Sequence, residues 1–225
     1  MIKAMLFDFD GTLADTNPLI IRTFNETFAE LSPGHGLTEP DILELIGPTL
    51  HETGLKYFPA DPDGFSNRYR EINLLYHDDM IEVYPGVGPM LAALKGMGLK
   101  MAIVSSKKRD MVLRGLKLLD LEQYFDWVLG GDDVTHPKPH REPIDRVLAY
   151  YGLQPAECLM VGDNSHDIDS AKNAGVKSIA VGWAYKGAEY LKKYAPDYII
   201  NTGDELIQIV QELNGALPDS AGAAQ

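Results

Sequence analysis

The chain has 225 residues, 45% of them hydrophobic and 24% charged, with a formal net charge of −13, so it can bury a full core as one large domain or as a domain with a smaller insertion. That negative balance, with no long run of Lys or Arg, excludes nucleic acid and anionic membrane surfaces from the expected partners. No apolar stretch approaches the ~20 residues that span a bilayer, and Met1-Ile2-Lys3 leads straight into a strand pattern rather than a secretory leader, so a cytoplasmic protein, monomer or homodimer, is expected.

The first predicted element is a buried strand over residues 4–7, which runs into Asp8-Phe9-Asp10-Gly11-Thr12-Leu13. Alternation along an extended chain sends Asp8 and Asp10 to one side, and Gly11 allows a sharp turn after them. Two carboxylates so close raise each other's pKa unless a cation neutralises them, which implies a bound metal or a cationic partner; Mg²⁺ suits an all-oxygen site. Residues 17–82 then break the strand–helix rhythm. They carry helical patterns over 18–31, 39–46 and 63–79 and no convincing strand, and read as an inserted helical cap between hinges at 14–18 and 82–86.

From residue 83 the rhythm resumes, with strands expected at 100–104, 127–129, 159–161, 178–181 and 198–200, and helices at 87–97, 109–119, 141–151, 168–174 and 205–213. This β-α-β series predicts an α/β fold with a parallel sheet covered on both faces. The core is therefore expected over 1–16 and 83–213, with a mobile tail over 214–225. Active sites of such sheets lie at the carboxyl ends of the strands.

Chemistry-bearing residues fall at those ends. Ser105 and Ser106 close the strand at 100–104 and precede a helix, a corner suited to an anion, though a serine there also serves as a plain N-cap. Lys138 sits between Pro137 and Pro139, which stiffen its loop; Lys107 and Lys108 compete with it but are expected to enter the following helix. Gly162-Asp163-Asn164-Ser165-His166-Asp167 closes the strand at 159–161. Asp163 there could share a cation with Asp8, Asp167 could do the same or only cap its helix, and His166 reads as a neighbour rather than a ligand. Cys158, the single cysteine, reads as core.

Across residues 1–212 the chain resembles the haloacid-dehalogenase-like (HAD) superfamily of hydrolases. Its four signatures stand in order: Asp8-Phe9-Asp10-Gly11-Thr12-Leu13, Ile103-Val104-Ser105-Ser106-Lys107, Pro137-Lys138-Pro139 and Gly162-Asp163-Asn164-Ser165-His166-Asp167. The resemblance implies a Rossmann-like core, Asp8 as a nucleophile that becomes an aspartyl-phosphate, and Asp10 as general acid and then base. It further implies Ser105 and Lys138 as phosphate ligands, and Mg²⁺ held by Asp8, Asp163 and the Asp10 carbonyl with support from Asp167. Gly11, Thr12 and Ser106 are expected to line the phosphate cradle.

The insertion resembles the cap of the subgroup that contains phosphoglycolate phosphatase, β-phosphoglucomutase, phosphonoacetaldehyde hydrolase and a bacterial inorganic pyrophosphatase. Asp10 argues against dehalogenation, which has no leaving alkoxide to protonate. The stretch from Leu45 to Glu52 holds no lysine for a Schiff base, and Lys56 is the nearest. Ile46-Gly47-Pro48-Thr49-Leu50-His51-Glu52-Thr53 and Gly182-Trp183-Ala184-Tyr185-Lys186-Gly187 look most like the pyrophosphatase branch. His51, Thr49 or Lys186 would then meet the second phosphate. A small phosphomonoester such as phosphoglycolate is the alternative substrate, and a mutase or a non-catalytic binding module are further ones.

Overall fold

The structure is a computed structural model that describes residues 1–215. In chain order its elements are β1 (Ala4–Phe7), β2 (Ala14–Asp15), α1 (Asn17–Leu31), α2 (Glu39–Leu43), α3 (Leu50–Tyr57), α4 (Pro62–Tyr76), β3 (Glu82–Val83), α5 (Val87–Gly96), β4 (Lys100–Val104), α6 (Arg109–Leu118), β5 (Trp127–Leu129), α7 (Glu142–Tyr151), β6 (Cys158–Gly162), α8 (Ser165–Ala174), β7 (Lys177–Val181), α9 (Gly187–Leu191), β8 (Tyr198–Ile200) and α10 (Gly203–Leu213). Six strands form one parallel sheet in the order β5-β4-β1-β6-β7-β8.

Strand alternation divides the apolar residues between two layers. Met5 and Phe7 of β1 pack with Met101, Ile103, Leu91, Val112 and Val210 on one face, while Ala4 and Leu6 pack with Ala102, Val104, Val147, Met160 and Ala171 on the other. A strand covered on both sides reads as a continuous apolar run, which is why the six strands were legible. The chain leaves β1 toward β4 on one side and returns after β5 to β6 on the other. That reversal opens a crevice at the carboxyl ends of β1 and β6.

The helices between Asn17 and Tyr76 have a core of their own, in which Phe24, Phe28, Ile42, Leu45, Phe65 and Tyr69 are buried. Phe28 is its hub, with ring centroids 5.3 Å from both Tyr57 and Phe58 and 5.6 Å from Phe65. The two segments expected as hinges are tied together: β2 and β3 pair antiparallel, with Ala14 opposite Val83 and Asp15 opposite Glu82. Strands of two residues, separated by the whole insertion, leave no period in the sequence. Helix α3 was also missed. Its start is fixed by a capping box in which the Glu52 carboxylate accepts from Thr49 N at 2.7 Å and Glu52 N donates to Thr49 Oγ1 at 3.2 Å.

Asn214, expected to open the tail, is pinned instead, since its amide Nδ2 donates to Ile2 O at 3.2 Å and its Oδ1 accepts from Ile2 N at 2.5 Å. Residues 216–225 of the expected tail lie outside the described residues. Cys158 is buried, and burial pushes its thiol up to about 12, as a core residue requires. Among the described residues no helix is long and apolar enough to cross a membrane.

Candidate active site

Four loops at the carboxyl edge of the sheet bring the expected residues together. Asp8 follows β1, Ser105 follows β4, Lys138 lies in the loop after β5 and Asp163 follows β6. Asp8, Asp10, Ser105, Ser106, Lys138, Asp163 and Asp167 all line one cavity of about 640 Å³ between this edge and the inserted helices.

Lys138 organises the cluster. Its side chain is 3% exposed, and its ammonium donates to Val104 O at 2.9 Å and Asp167 Oδ1 at 2.5 Å and lies 3.2 Å from Asp8 Oδ1. Three acceptors for three N–H groups leave it no free donor. Burial pushes this ammonium down, and the charges of Asp167 and Asp8 more than reverse that, so the net shift is upward. In this arrangement Lys138 holds the Asp8 and Asp167 carboxylates in place. Of the roles foreseen for Asp167, the structure has the capping one: its other oxygen accepts from Asn164 N at 3.0 Å at the start of α8.

Asp8, Asp163 and Asp167 each offer an oxygen within 4.8 Å of the others. Burial raises the Asp8 carboxyl to about 7, opposed by Lys138 and reinforced by the charges of Asp167 and Asp10. Burial, with Asp167 and Asp8 beside it, raises Asp163 well above the ordinary carboxylate range. Three carboxylates and one buried lysine leave the cluster short of positive charge. An all-oxygen donor set with that deficit fits a hard divalent cation. One Asp8 oxygen takes Phe9 N at 2.7 Å as well as Lys138, and the other carries no hydrogen bond among the described residues.

Gly11 and Thr12 shape the cluster rather than the cavity wall. Gly11 has φ +74°, and a Cβ there would lie 2.2 Å from Asp163 Oδ2, so only glycine lets the loop and the carboxylate approach this closely. Thr12 is buried and its Oγ1 donates to Asp163 Oδ1 at 3.4 Å. The Asp10 carboxylate stands outside the carboxylate cluster, held by Lys107 Nζ at 2.8 Å. Helix α6 begins at Arg109, as its pattern predicts, with Lys108 as an extended N-cap, so Lys107 precedes the helix it was expected to enter. The Asp132 carboxylate accepts from Arg109 N, the first amide of the helix, at 2.8 Å. Ser105 Oγ in turn accepts from Lys107 N at 3.2 Å, which fixes the bend.

The inserted helices meet the core through Ile46. Its carbonyl accepts from Asn164 Nδ2 at 2.9 Å and from Lys186 Nζ at 3.0 Å. Gly47, at φ +119°, would place a Cβ 2.5 Å from the same Asn164 amide. Lys186, expected to face the second phosphate, is thus committed to this junction and does not line the cavity. His51 lines the cavity but is exposed, with Nδ1 3.4 Å from Asp63 Oδ1. Lys56 lies over the Tyr57 ring, 4.9 Å from its centroid, and is not among the residues that line the cavity. His166 is half-buried on the wall beside Asn164. Sequence reasoning missed Asn164, Gly47 and the wall of α4, formed by Tyr69, Arg70, Asn73 and Leu74. The signal for that wall was present as three- and four-residue spacing, but its partner surface is not local.

The profile of the haloacid dehalogenase-like hydrolase family matches residues 5–181. The chain is 42% identical over 214 residues to the pyrophosphatase PpaX of Bacillus mycoides, covering 95% of this chain and 99% of that protein. It is 43% identical over 211 residues to PpaX of Listeria monocytogenes, covering 94% and 97%. Among solved structures it superposes on a haloacid dehalogenase-like family hydrolase from Streptococcus pneumoniae with a TM-score of 0.82 at 25% identity, covering 93% of this chain and 99% of that one.

Proposed function

This chain belongs to the haloacid dehalogenase-like hydrolase family, and on that footing we propose that it is a Mg²⁺-dependent phosphohydrolase that cleaves inorganic pyrophosphate through an aspartyl-phosphate on Asp8. The observation that carries the reading is the Asp8 carboxylate, one oxygen free of hydrogen bonds among the described residues, at a cavity shared with Asp10, Ser105, Ser106 and the Lys138-bound carboxylates. Asp8 attacks phosphorus in line, and the bond from phosphorus to the leaving oxygen breaks. Asp10 gives that oxygen a proton, then takes one from the water that hydrolyses the acyl-phosphate. Lys107 orients the Asp10 carboxylate for both transfers. The Ser105 hydroxyl and the loop through Ser106 face the phosphoryl oxygens, and Lys138 holds Asp8 and Asp167 in register. Asp8, Asp163, Asp167 and the Asp10 carbonyl are the proposed Mg²⁺ ligands; when bound, the ion supplies positive charge to the phosphoryl oxygens. Division of labour between a core over 1–16 and 83–213 and a cap over 17–82 belongs to the same reading.

The metal assignment predicts a pH dependence. The folded state holds on Asp8 a proton that the unfolded chain has lost between the ordinary value of 3.8 and about 7. Stability of the metal-free protein therefore falls as pH rises through that window, and a cation that displaces the proton relieves the loss. Mg²⁺ is expected to raise Tm more at about pH 8 than at about pH 5.5. Equal gains at both values would remove these carboxylates from the ligand set.

A cavity of about 640 Å³ has room for an organic leaving group, and the second reading is a small phosphomonoester, phosphoglycolate among them. Phosphate release is to be compared at matched concentrations of pyrophosphate, 2-phosphoglycolate, β-glucose-1-phosphate and an aryl phosphate. The first should lead in kcat/KM; a lead for phosphoglycolate would retain the mechanism and replace the substrate.

A further inference from the structure

Each arginine of a strongly acidic chain is expected to find a carboxylate, and most here do: Arg22 meets Glu26, Arg68 meets Glu30 and Glu71, Arg114 meets Asp78, Arg141 meets Asp145 and Arg146 meets Glu142. Among the described residues Arg70 and Arg109 form no ion pair, and of these two only Arg70 lines the cavity. Arg70 lies on α4, half-buried, and its one recorded hydrogen bond runs to the neutral Asn67 Oδ1 at 3.0 Å. The cavity it lines also carries the apolar side chains of Phe24, Leu50, Tyr69 and Leu74, and inside such a cleft a guanidinium–anion contact is screened less than it would be in open water.

The other cations within reach of this role are spoken for or loosely held. Lys107 is bound to Asp10, Lys138 to three acceptors and Lys186 to Ile46 O. Lys108 lines the cavity but is exposed.

We propose that Arg70 is a specificity-determining residue that binds a second anionic group on the leaving portion of the substrate, so that the site selects bis-anionic phosphates over phosphoesters with a neutral leaving group. This rests on the phosphohydrolase reading and deepens it. The shared chemistry is an oxyanion with oxygens arranged for a planar guanidinium, supplied by the distal phosphate of pyrophosphate or by the carboxylate of phosphoglycolate.

The test compares kcat/KM of wild type, Arg70→Met, Arg70→Lys and Lys108→Ala on pyrophosphate, 2-phosphoglycolate and phenyl phosphate, with Mg²⁺. Arg70→Met should lose about 10- to 100-fold on whichever bis-anionic substrates wild type cleaves, and no more than about 2-fold on phenyl phosphate. Arg70→Lys should recover part of the loss, because charge is restored without the fork. A parallel fall on every substrate would show a structural role and overturn the inference, as would an unchanged ranking or a ranking moved by Lys108→Ala alone. If wild type cleaves 2-phosphoglycolate and not pyrophosphate, with the same dependence on Arg70, the inference stands and only the pyrophosphate assignment fails. Turnover of phenyl phosphate alone by wild type would overturn both.

Discussion

Asp8→Asn abolishes Mg²⁺-dependent phosphate release, lowering kcat by more than about 10³-fold, and leaves the fold intact. The amide keeps the shape of the carboxylate and an oxygen to accept from Phe9 N, so the turn after β1 persists. What disappears is the oxygen that attacks phosphorus. No neighbouring carboxylate replaces it, because Asp167 is held by Lys138 and by the start of α8, and Asp10 is drawn aside by Lys107. The same substitution removes a charge that burial disfavours, so the metal-free variant should match or exceed the Tm of wild type above pH 7. Substrate turnover that survives in a clean Asp8→Asn preparation would sink the aspartyl-phosphate mechanism. A large drop in Tm would show instead that the loss of rate reports a damaged fold.

The core of this architecture was legible because each signal was local. Six strands buried on both faces read as apolar runs, and carboxylate, hydroxyl, lysine and carboxylate each stand within a few residues of a strand or loop that the sequence already punctuates. Position along the chain does not show what a side chain meets across the fold. Lys107 and Lys186 illustrate the point from opposite sides. Lys107 was discounted on helical periodicity and lies on Asp10, since it precedes the helix, whose first amide is held by Asp132 from the loop after β5. Lys186 was favoured on its motif and lies on Ile46 O, where the inserted helices meet the core. The β2–β3 pairing escaped for the same reason, since each strand has two residues and its register is set by a partner beyond the insertion. Arg70 carried no local mark at all. It stands out only once the other arginines have been matched to their carboxylates.

Lys138→Met should damage stability and rate together, with a signature that separates a holder of carboxylates from a ligand of phosphate. The methionine fills most of the volume but leaves Asp8, Asp163 and Asp167 grouped without their buried cation. Removing one partner of a buried ion pair costs about 3–5 kcal/mol, because the charges left behind remain desolvated. Protonation can relieve such a cluster at low pH. The Tm deficit relative to wild type should therefore widen as pH rises through 7, where Asp8 would otherwise ionise. Mg²⁺ should restore part of the Tm, since it brings positive charge to the same oxygens, while kcat stays depressed because Asp8 is no longer held against Val104 O and Asp167 through one ammonium. Competitive inhibition by inorganic phosphate distinguishes the two roles. A lysine whose three N–H groups are all committed within the protein contributes little to phosphate affinity, so the inhibition constant should move far less than kcat. A variant with unchanged Tm, unchanged response to Mg²⁺ and a strongly weakened phosphate constant would return Lys138 to the substrate and require another residue to hold the carboxylates together.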